Sequence, residues 1–308
     1  MKPLFAAAAI VLGLAGAGAV SSPTLGGCPV FPASSPWNQP VDTLPVAADS
    51  TQLIASMGVS GTVHADFGNG LYNGSRIGIP YVIVHARSTP KSRVSFEYAD
   101  ESDKGPYPIP PNVPVEGYPN HADQGDRHVL LIDRDACRLY ELSGMSRKAG
   151  HWSGWSGAIW NLRSNALRPV GWTSADAAGL PILPGLARWD SDASTGAIRH
   201  ALRFTAERTR RAYIYPARHY ASSLTDPSLP PMGLRVRLKA SVSLAGLPPQ
   251  ARIVAQALKT YGMILADNGS NWYVSGAPSP KWSNDELHAL GRLSGADFEV
   301  VDTSHLRP

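Results

Sequence analysis

Several chemistries are missing from this chain. No G-x-S-x-G occurs, only GWSG at 154–157, so the nucleophile elbow of an α/β-hydrolase is not supported. There is no H-E-x-x-H and no cysteine pair at metal-binding spacing. No glycine-rich phosphate loop precedes a helix. Nucleotide enzymes and standard zinc hydrolases drop out on these grounds, and no cofactor or metal is expected. Nothing has the form of a recognition helix, a zinc finger or a single-strand-binding motif, which argues against nucleic acid. Beyond residue 19 no apolar run is long enough for a membrane span.

Cysteine is scarce as well, with Cys28 and Cys137 the only two. They follow an N-terminus that begins with Lys2, continues through the apolar stretch LFAAAAIVLGLAGAGA at 4–19 and ends in Ala17-Gly18-Ala19. That order describes a secretory signal peptide over 1–19, with a secreted (extracellular or periplasmic) domain over 20–308. In an oxidising compartment the two cysteines are expected to form a disulfide. LGGC at 25–28 also has the look of a lipid-attachment site, but it lies far from the apolar run and would orphan Cys137.

What the chain does have is turns. Its 29 glycines and 27 prolines separate short runs rich in Val, Ile, Tyr and Phe. These runs fall at 77–86, 93–99, 128–133, 137–142, 198–206, 211–217 and 234–240. Such spacing predicts an all-β protein, a jelly-roll-like antiparallel sandwich with two or three peripheral helices. Helices are expected at 49–58, at 248–262 with Ile253, Val254, Ala257, Leu258 and Tyr261 on its apolar face, and after Ser283. MILADNGSNWYVSG predicts two strands paired around an Asn-Gly turn. The proline-rich 103–119 reads as an extended surface loop.

GDRHVLLIDRDACRLYEL at 125–142 carries ionisable groups at both ends of an apolar hairpin. Burying such groups unpaired costs several kcal/mol, roughly 2–7 even for a neutral polar group, so each needs a partner or a task. Register decides whether His128 and Glu141 share a face. If they do, a general acid/base pair becomes possible, with Asp126 at the mouth of the strand; a structural His–Glu hydrogen bond is the plainer reading. His200 stands among Ile198, Leu202 and Phe204 and reads either as a core histidine or as part of the same cleft. FEYADESDKG at 96–105 offers Glu97 as a further carboxylate, or a solvated acidic turn. HADFG at 64–68 and HADQG at 121–125 repeat an H-x-D pair too short to argue for a metal.

Trp152, Trp155, Trp160, Trp172 and Trp189 fall close together, and the first two lie in a Gly/Ser-rich loop suited to stacking on sugar rings. Between Arg199 and Lys239 nine basic residues face only Glu207 and Asp226. In LRVRLKA, Arg235, Arg237 and Lys239 alternate with leucine and valine, as on a strand with one wet basic face. That face would attract an anionic polymer, or is simply solvated surface.

GPYPIP, GDRHVLLIDRD, CRLYEL, LRSNALRPVGWTSADAAGLPILPGL, RHALRFTA, LPPMGLRVRLKA and LKTYGMILADNGSNWY together resemble an uncharacterised family of secreted bacterial proteins. The resemblance implies a single exported domain and brings no activity, cofactor or catalytic residue. The residues themselves point to a carbohydrate-active protein with an extracellular glycan as partner. As a hydrolase it would use Glu141 with Asp126 or Glu97. As a lyase it would use His128 or His200 as base and Tyr220 as acid, with Arg203 or Arg218 against a uronate. Trp152, Trp155, Arg203 and Tyr220 would bind substrate. A non-catalytic binding module and a cell-envelope structural protein are the alternatives.

Overall fold

The computed structural model describes residues 22–120 and 125–306. The expected 1–19 leader lies outside the described residues. Thirteen strands of three or more residues occur among those described. In chain order they are β1 His64–Asp66, β2 Tyr81–Val84, β3 Val94–Phe96, β4 Val129–Asp133, β5 Arg138–Leu142, β6 Ser146–Lys148 and β7 His151–Gly154. There follow β8 Gly157–Asn161, β9 Leu202–Ala206, β10 Arg235–Leu238, β11 Met263–Asn268, β12 Tyr273–Ser275 and β13 Phe298–Val300. The helices are α1 Ser50–Ser56, α2 Pro249–Thr260 and α3 Asn284–His288. None of them is long and apolar enough to cross a membrane.

The first sheet has the order β8-β5-β4-β2. Its hairpin β4–β5 pairs Leu130 with Glu141 and Ile132 with Leu139. One face packs Leu130, Ile132 and Leu139 with Trp160, and the other packs Val129, Leu131 and Leu142 with Tyr107 and Met145. Burial on both faces explains why VLLI shows no polar alternation. Cys28 and Cys137 are disulfide-bonded across 109 residues, a closure worth about 4 to 5 kcal/mol in chain entropy.

The second sheet has the order β13-β10-β11-β9-β12-β1, and a small third one the order β6-β7-β3. Helix α2 covers the second sheet with Ala251, Val254, Ala255 and Leu258 against Leu202, Phe204 and Val236. The protein is thus β-rich with peripheral helices, but four strand pairs are parallel: β2–β4, β3–β7, β9–β11 and β1–β12. Mixed sheets of this kind replace the antiparallel jelly roll.

Two further expectations change. The strands flanking Asn268-Gly269 do not pair with each other, because β9 inserts between them. The connection between them is held instead to the end of β9: Thr205 Oγ1 donates to Ser270 O at 2.7 Å, and Glu207 N donates to Asn271 Oδ1 at 2.8 Å. The run at 211–217 makes only an isolated bridge, Tyr213 with Met232, and its Pro216 has no N–H to give a ladder.

The basic strand is the larger correction. Arg235 and Arg237 lie on the face of the second sheet opposite α2, and that face is not wet: they are 2% and 9% exposed. Arg235 donates to the carbonyls of Pro36, Gln39 and Tyr261, and Arg237 to those of Val41 and Leu44 and to Glu299. The N-terminal chain is laid over the sheet and its unpaired carbonyls consume the guanidinium donors. Truncating Arg235 leaves those carbonyls buried and bare. Arg235→Ala should lower stability by about 3 kcal/mol, whereas Lys239→Ala, at the half-buried end of the strand, should change it by roughly 0.5 kcal/mol. Denaturant titration compares the two; equal small losses would return the strand to ordinary surface.

Candidate functional site

The site grows from one irregularity in the second sheet. Phe204 pairs with Leu265, but Thr205 pairs with Asp267, so Ala266 is an extra residue, a β-bulge. Side chains alternate along a strand. Without the bulge Asp267 would point with Leu265 into the apolar core; with it, Asp267 joins the face of Arg203.

Arg203 is the hub. It holds Asp176 through two bonds, Nη2 to Oδ1 at 2.8 Å and Nε to Oδ2 at 3.1 Å. Nη1 donates to Ser275 Oγ at 2.6 Å, and Nη2 reaches Asp267 Oδ2 at 3.4 Å. Asp176 has the shorter and bidentate contact, so Asp267 is the weaker partner. Burial first, and then the Asp176 charge, push the Asp267 carboxyl up to about 8 against the pull of Arg203. Asp267 therefore carries a proton at neutral pH.

Asp176 arrives on the loop 173–187, which joins the two sheets. Ala178 N donates to Ala266 O at 2.9 Å and Ala187 N to Ser275 O at 3.1 Å, while Ile182, Leu183 and Leu186 pack into the core of the first sheet. The first sheet grips the loop with the two residues that the hairpin displays. Their register does place His128 and Glu141 on one face, since Leu130 pairs with Glu141 and His128 lies two residues before Leu130. They do not bond each other.

Glu141 is fully buried, and its carboxylate accepts from Ile182 N at 3.0 Å, Leu183 N at 2.8 Å and Trp160 Nε1 at 3.1 Å. Burial pushes it up to about 7, opposed by the Leu183 and Ile182 N–H groups. His128 Nδ1 lies 2.6 Å from Glu116 Oε2 and Nε2 lies 2.9 Å from Ala175 O. A carbonyl only accepts, so Nε2 carries hydrogen, and a carboxylate opposite Nδ1 makes the ring an imidazolium. Burial alone would lower its pKa, but the Glu116 charge and hydrogen bond raise it to about 9. For Glu116 burial is outweighed by the same His128, which holds it below its usual range.

Above the loop end lies a cleft of about 180 Å³ lined by Asp126, Asp176, Asp267, Thr173, Tyr98 and Trp155. Asp126 is exposed on one wall, and Trp155, 42% exposed, stands at the mouth. Of the residues expected from sequence, Asp126, His128, Trp155 and Arg203 gather here. Glu141 and His128 serve as anchors for the loop rather than as acid or base, since every heteroatom of both side chains is engaged. Arg203 is buried and already neutralised, so it has nothing left for a uronate.

The other candidates stand apart. His200 is buried with Nδ1 2.8 Å from Ala201 O, and Nε2 3.0 Å from Arg188 Nη2 and 3.2 Å from Asp192 Oδ2, a closed structural cluster. The Tyr220 hydroxyl accepts from Arg211 at 3.0 Å and its ring stacks on His219, away from the cleft. Arg218 donates to Arg168 O at 2.9 Å. Trp152 is half-buried under Arg147. Glu97 is exposed beside the cleft without lining it, and in the same acidic turn Glu101 and Asp103 bond Thr173 N and Arg168. Most of the 121–125 H-x-D segment lies outside the described residues. Asp176, Asp267 and Glu116 were missed, although Asp267, a carboxylate closing an apolar strand, has the same signature that marks His128. No protein family, curated protein or solved structure matches this chain.

Two outcomes follow. Glu141→Gln sets an amide NH2 against N–H donors and should cost roughly 2 kcal/mol, visible as a melting temperature several degrees lower. An unchanged melting temperature would remove Glu141 from the anchoring role. His128 has a folded pKa of about 9 above its ordinary 6.5, so its contribution is full below the ordinary value and fades as pH rises through 9. Glu116, held low, loses its share as pH falls through its lowered pKa. Stability of the wild type relative to His128→Gln should therefore be greatest near about pH 6 and shrink by on the order of 2 kcal/mol by about pH 10. A difference flat across that range would refute the buried ion pair.

Proposed function

We propose that this chain is an exported enzyme that hydrolyses a neutral extracellular polysaccharide, with Asp267 as the proton donor and Asp126 as the second carboxylate. The observation that carries the reading is the pairing, in one cleft, of a carboxyl that keeps its proton to about 8 with an exposed aspartate. Glycosidic cleavage asks for such a division of labour: one acid to protonate the leaving oxygen, one carboxylate to attack the anomeric carbon or activate water. Trp155 at the mouth offers an indole face to the C–H side of a sugar ring. Asp176 stays with Arg203 and positions it.

Charge selects the glycan. Asp126, Asp176 and Asp267 line the cleft; Asp267 keeps its proton and Asp176 is paired with the buried Arg203. Asp126 therefore leaves the cleft net negative, and among the described lining residues no unpaired cation is there to meet a uronate or phosphate, so a neutral chain replaces the anionic one suggested by the basic sequence. The lyase version also loses both candidate bases, because His128 is an engaged imidazolium and His200 is closed into the cluster with Arg188 and Asp192. The disulfide supports the export part of the reading.

The test is release of reducing ends from cellulose, xylan, mannan, starch and mixed-linkage glucan by the purified protein. Cleavage should fall as pH rises through about 8, where Asp267 gives up its proton. Asp267→Asn should lower kcat by about 10²–10⁴-fold with the melting temperature nearly unchanged. Binding of these glycans without cleavage would make the protein a binding module, and full activity in a folded Asp267→Asn variant would exclude Asp267 as the acid.

A further inference from the structure

A second and larger hollow, about 340 Å³, opens at the free edge of the second sheet. It is lined by His64, Asp66, Tyr72, Tyr273, Asn284 and His288 among others. The fold ties it to the cleft. His64 pairs with Tyr273, Tyr273 with Thr205, and Thr205 with Asp267. Paired residues point to the same side, so these four make one row crossing β1, β12, β9 and β11. Adjacent strands lie about 4.8 Å apart, so the row runs roughly 14 Å from His64 to Asp267. Beside it Asp66 pairs with Ser275, whose hydroxyl accepts from Arg203.

The row is open at one end. His64 is exposed, Tyr273, Thr205 and Asp267 are half-buried, and Tyr72, 71% exposed, lines the hollow. His64 and Tyr273 stack face on face with ring centroids 4.3 Å apart, and of the two His64 is the exposed one. Asp66 is exposed, yet the surrounding protein and then the Glu116 charge raise its carboxyl above the usual range. No side-chain hydrogen-bond donor reaches it among the described residues. Aromatic faces beside an acceptor carboxylate are the elements that hold a sugar ring: the rings meet its C–H face, and the carboxylate takes its hydroxyls.

We propose that this hollow is a distal subsite for a neutral sugar unit, so that the substrate is an oligosaccharide or polymer lying along the His64–Asp267 row rather than a disaccharide. The inference rests on the hydrolytic reading for the direction of the chain, but its test is binding. Cellohexaose, xylohexaose and mannohexaose, with the matching disaccharides, are titrated calorimetrically into the Asp267→Asn protein, in which turnover is suppressed. At least one hexasaccharide should bind about tenfold more tightly than its disaccharide. Adding Asp66→Asn, which keeps the shape, or Tyr72→Ala, at an exposed ring, should each weaken hexasaccharide binding about five- to tenfold. Hexasaccharide affinity untouched by both substitutions, or no hexasaccharide binding, overturns the subsite. Binding that responds to the substitutions, in a protein whose wild type cleaves nothing, keeps the subsite and discards the hydrolase; cleavage with unresponsive binding does the reverse.

Discussion

Arg203 is a full positive charge placed where water does not reach, and an ion in that position must be surrounded by oxygen. Two carboxylates and a hydroxyl answer that need, from a loop, a neighbouring strand and a sheet pairing that would otherwise have no reason to meet. The arrangement has a chemical result. Burial first, and then the charge of Asp176, which holds the shared cation more tightly, push the Asp267 carboxyl up and favour its protonated form.

The same economy extends to the first sheet. Glu141 and His128 come from one face of a hairpin and reach opposite ends of a single loop, one through N–H groups of Ile182 and Leu183, the other through the carbonyl of Ala175. Asp176 lies between these two attachment points. Its position relative to Asp267 is therefore set by both sheets at once, which is the kind of support that a reacting constellation needs to hold its geometry. The pairing of Glu116 with His128 adds a charge pair to the anchor, at a place where an unpaired imidazolium would be expelled.

Much of this was legible in the chain, and the reasons for the rest are specific. The apolar runs of β4, β5, β9, β10 and β11 stand near their expected positions because burial on a sheet requires Val, Ile and Leu in short bursts. The disulfide followed from there being only two cysteines. The hairpin question, why ionisable groups flank an apolar core, has an answer in loop anchoring that periodicity cannot state, because the loop groups that Glu141 and His128 hold are backbone atoms forty or more residues away. Arg235 and Arg237 alternate as a wet face would, yet what covers them is main chain, and carbonyl oxygens leave no trace in residue type. Asp267 was hidden by a single inserted residue, since a count of two along β11 assigns it to the wrong side. Pairing order is non-local by nature, and the Asn-Gly turn that suggested a hairpin instead carries the chain past the end of β9.

That last connection has a kinetic consequence. Because β9 separates β11 from β12, the centre of the second sheet does not close as a local hairpin. The edge strand β1 must wait longer still, since its partner Tyr273 follows His64 by about two hundred residues. Sheets assembled from such distant pairings form late, after much loop entropy has been surrendered. The first sheet, with its hairpin and neighbouring β8, is able to mature from nearby sequence while the second is incomplete. A chain emerging from its N-terminus would thus present the aspartate of β1 and the glutamate and histidine of the anchor long before Arg203, Asp267 and β12 arrive to enclose them. The polar row is complete only once β9, β11 and β12, all distant from β1 in sequence, have joined the sheet.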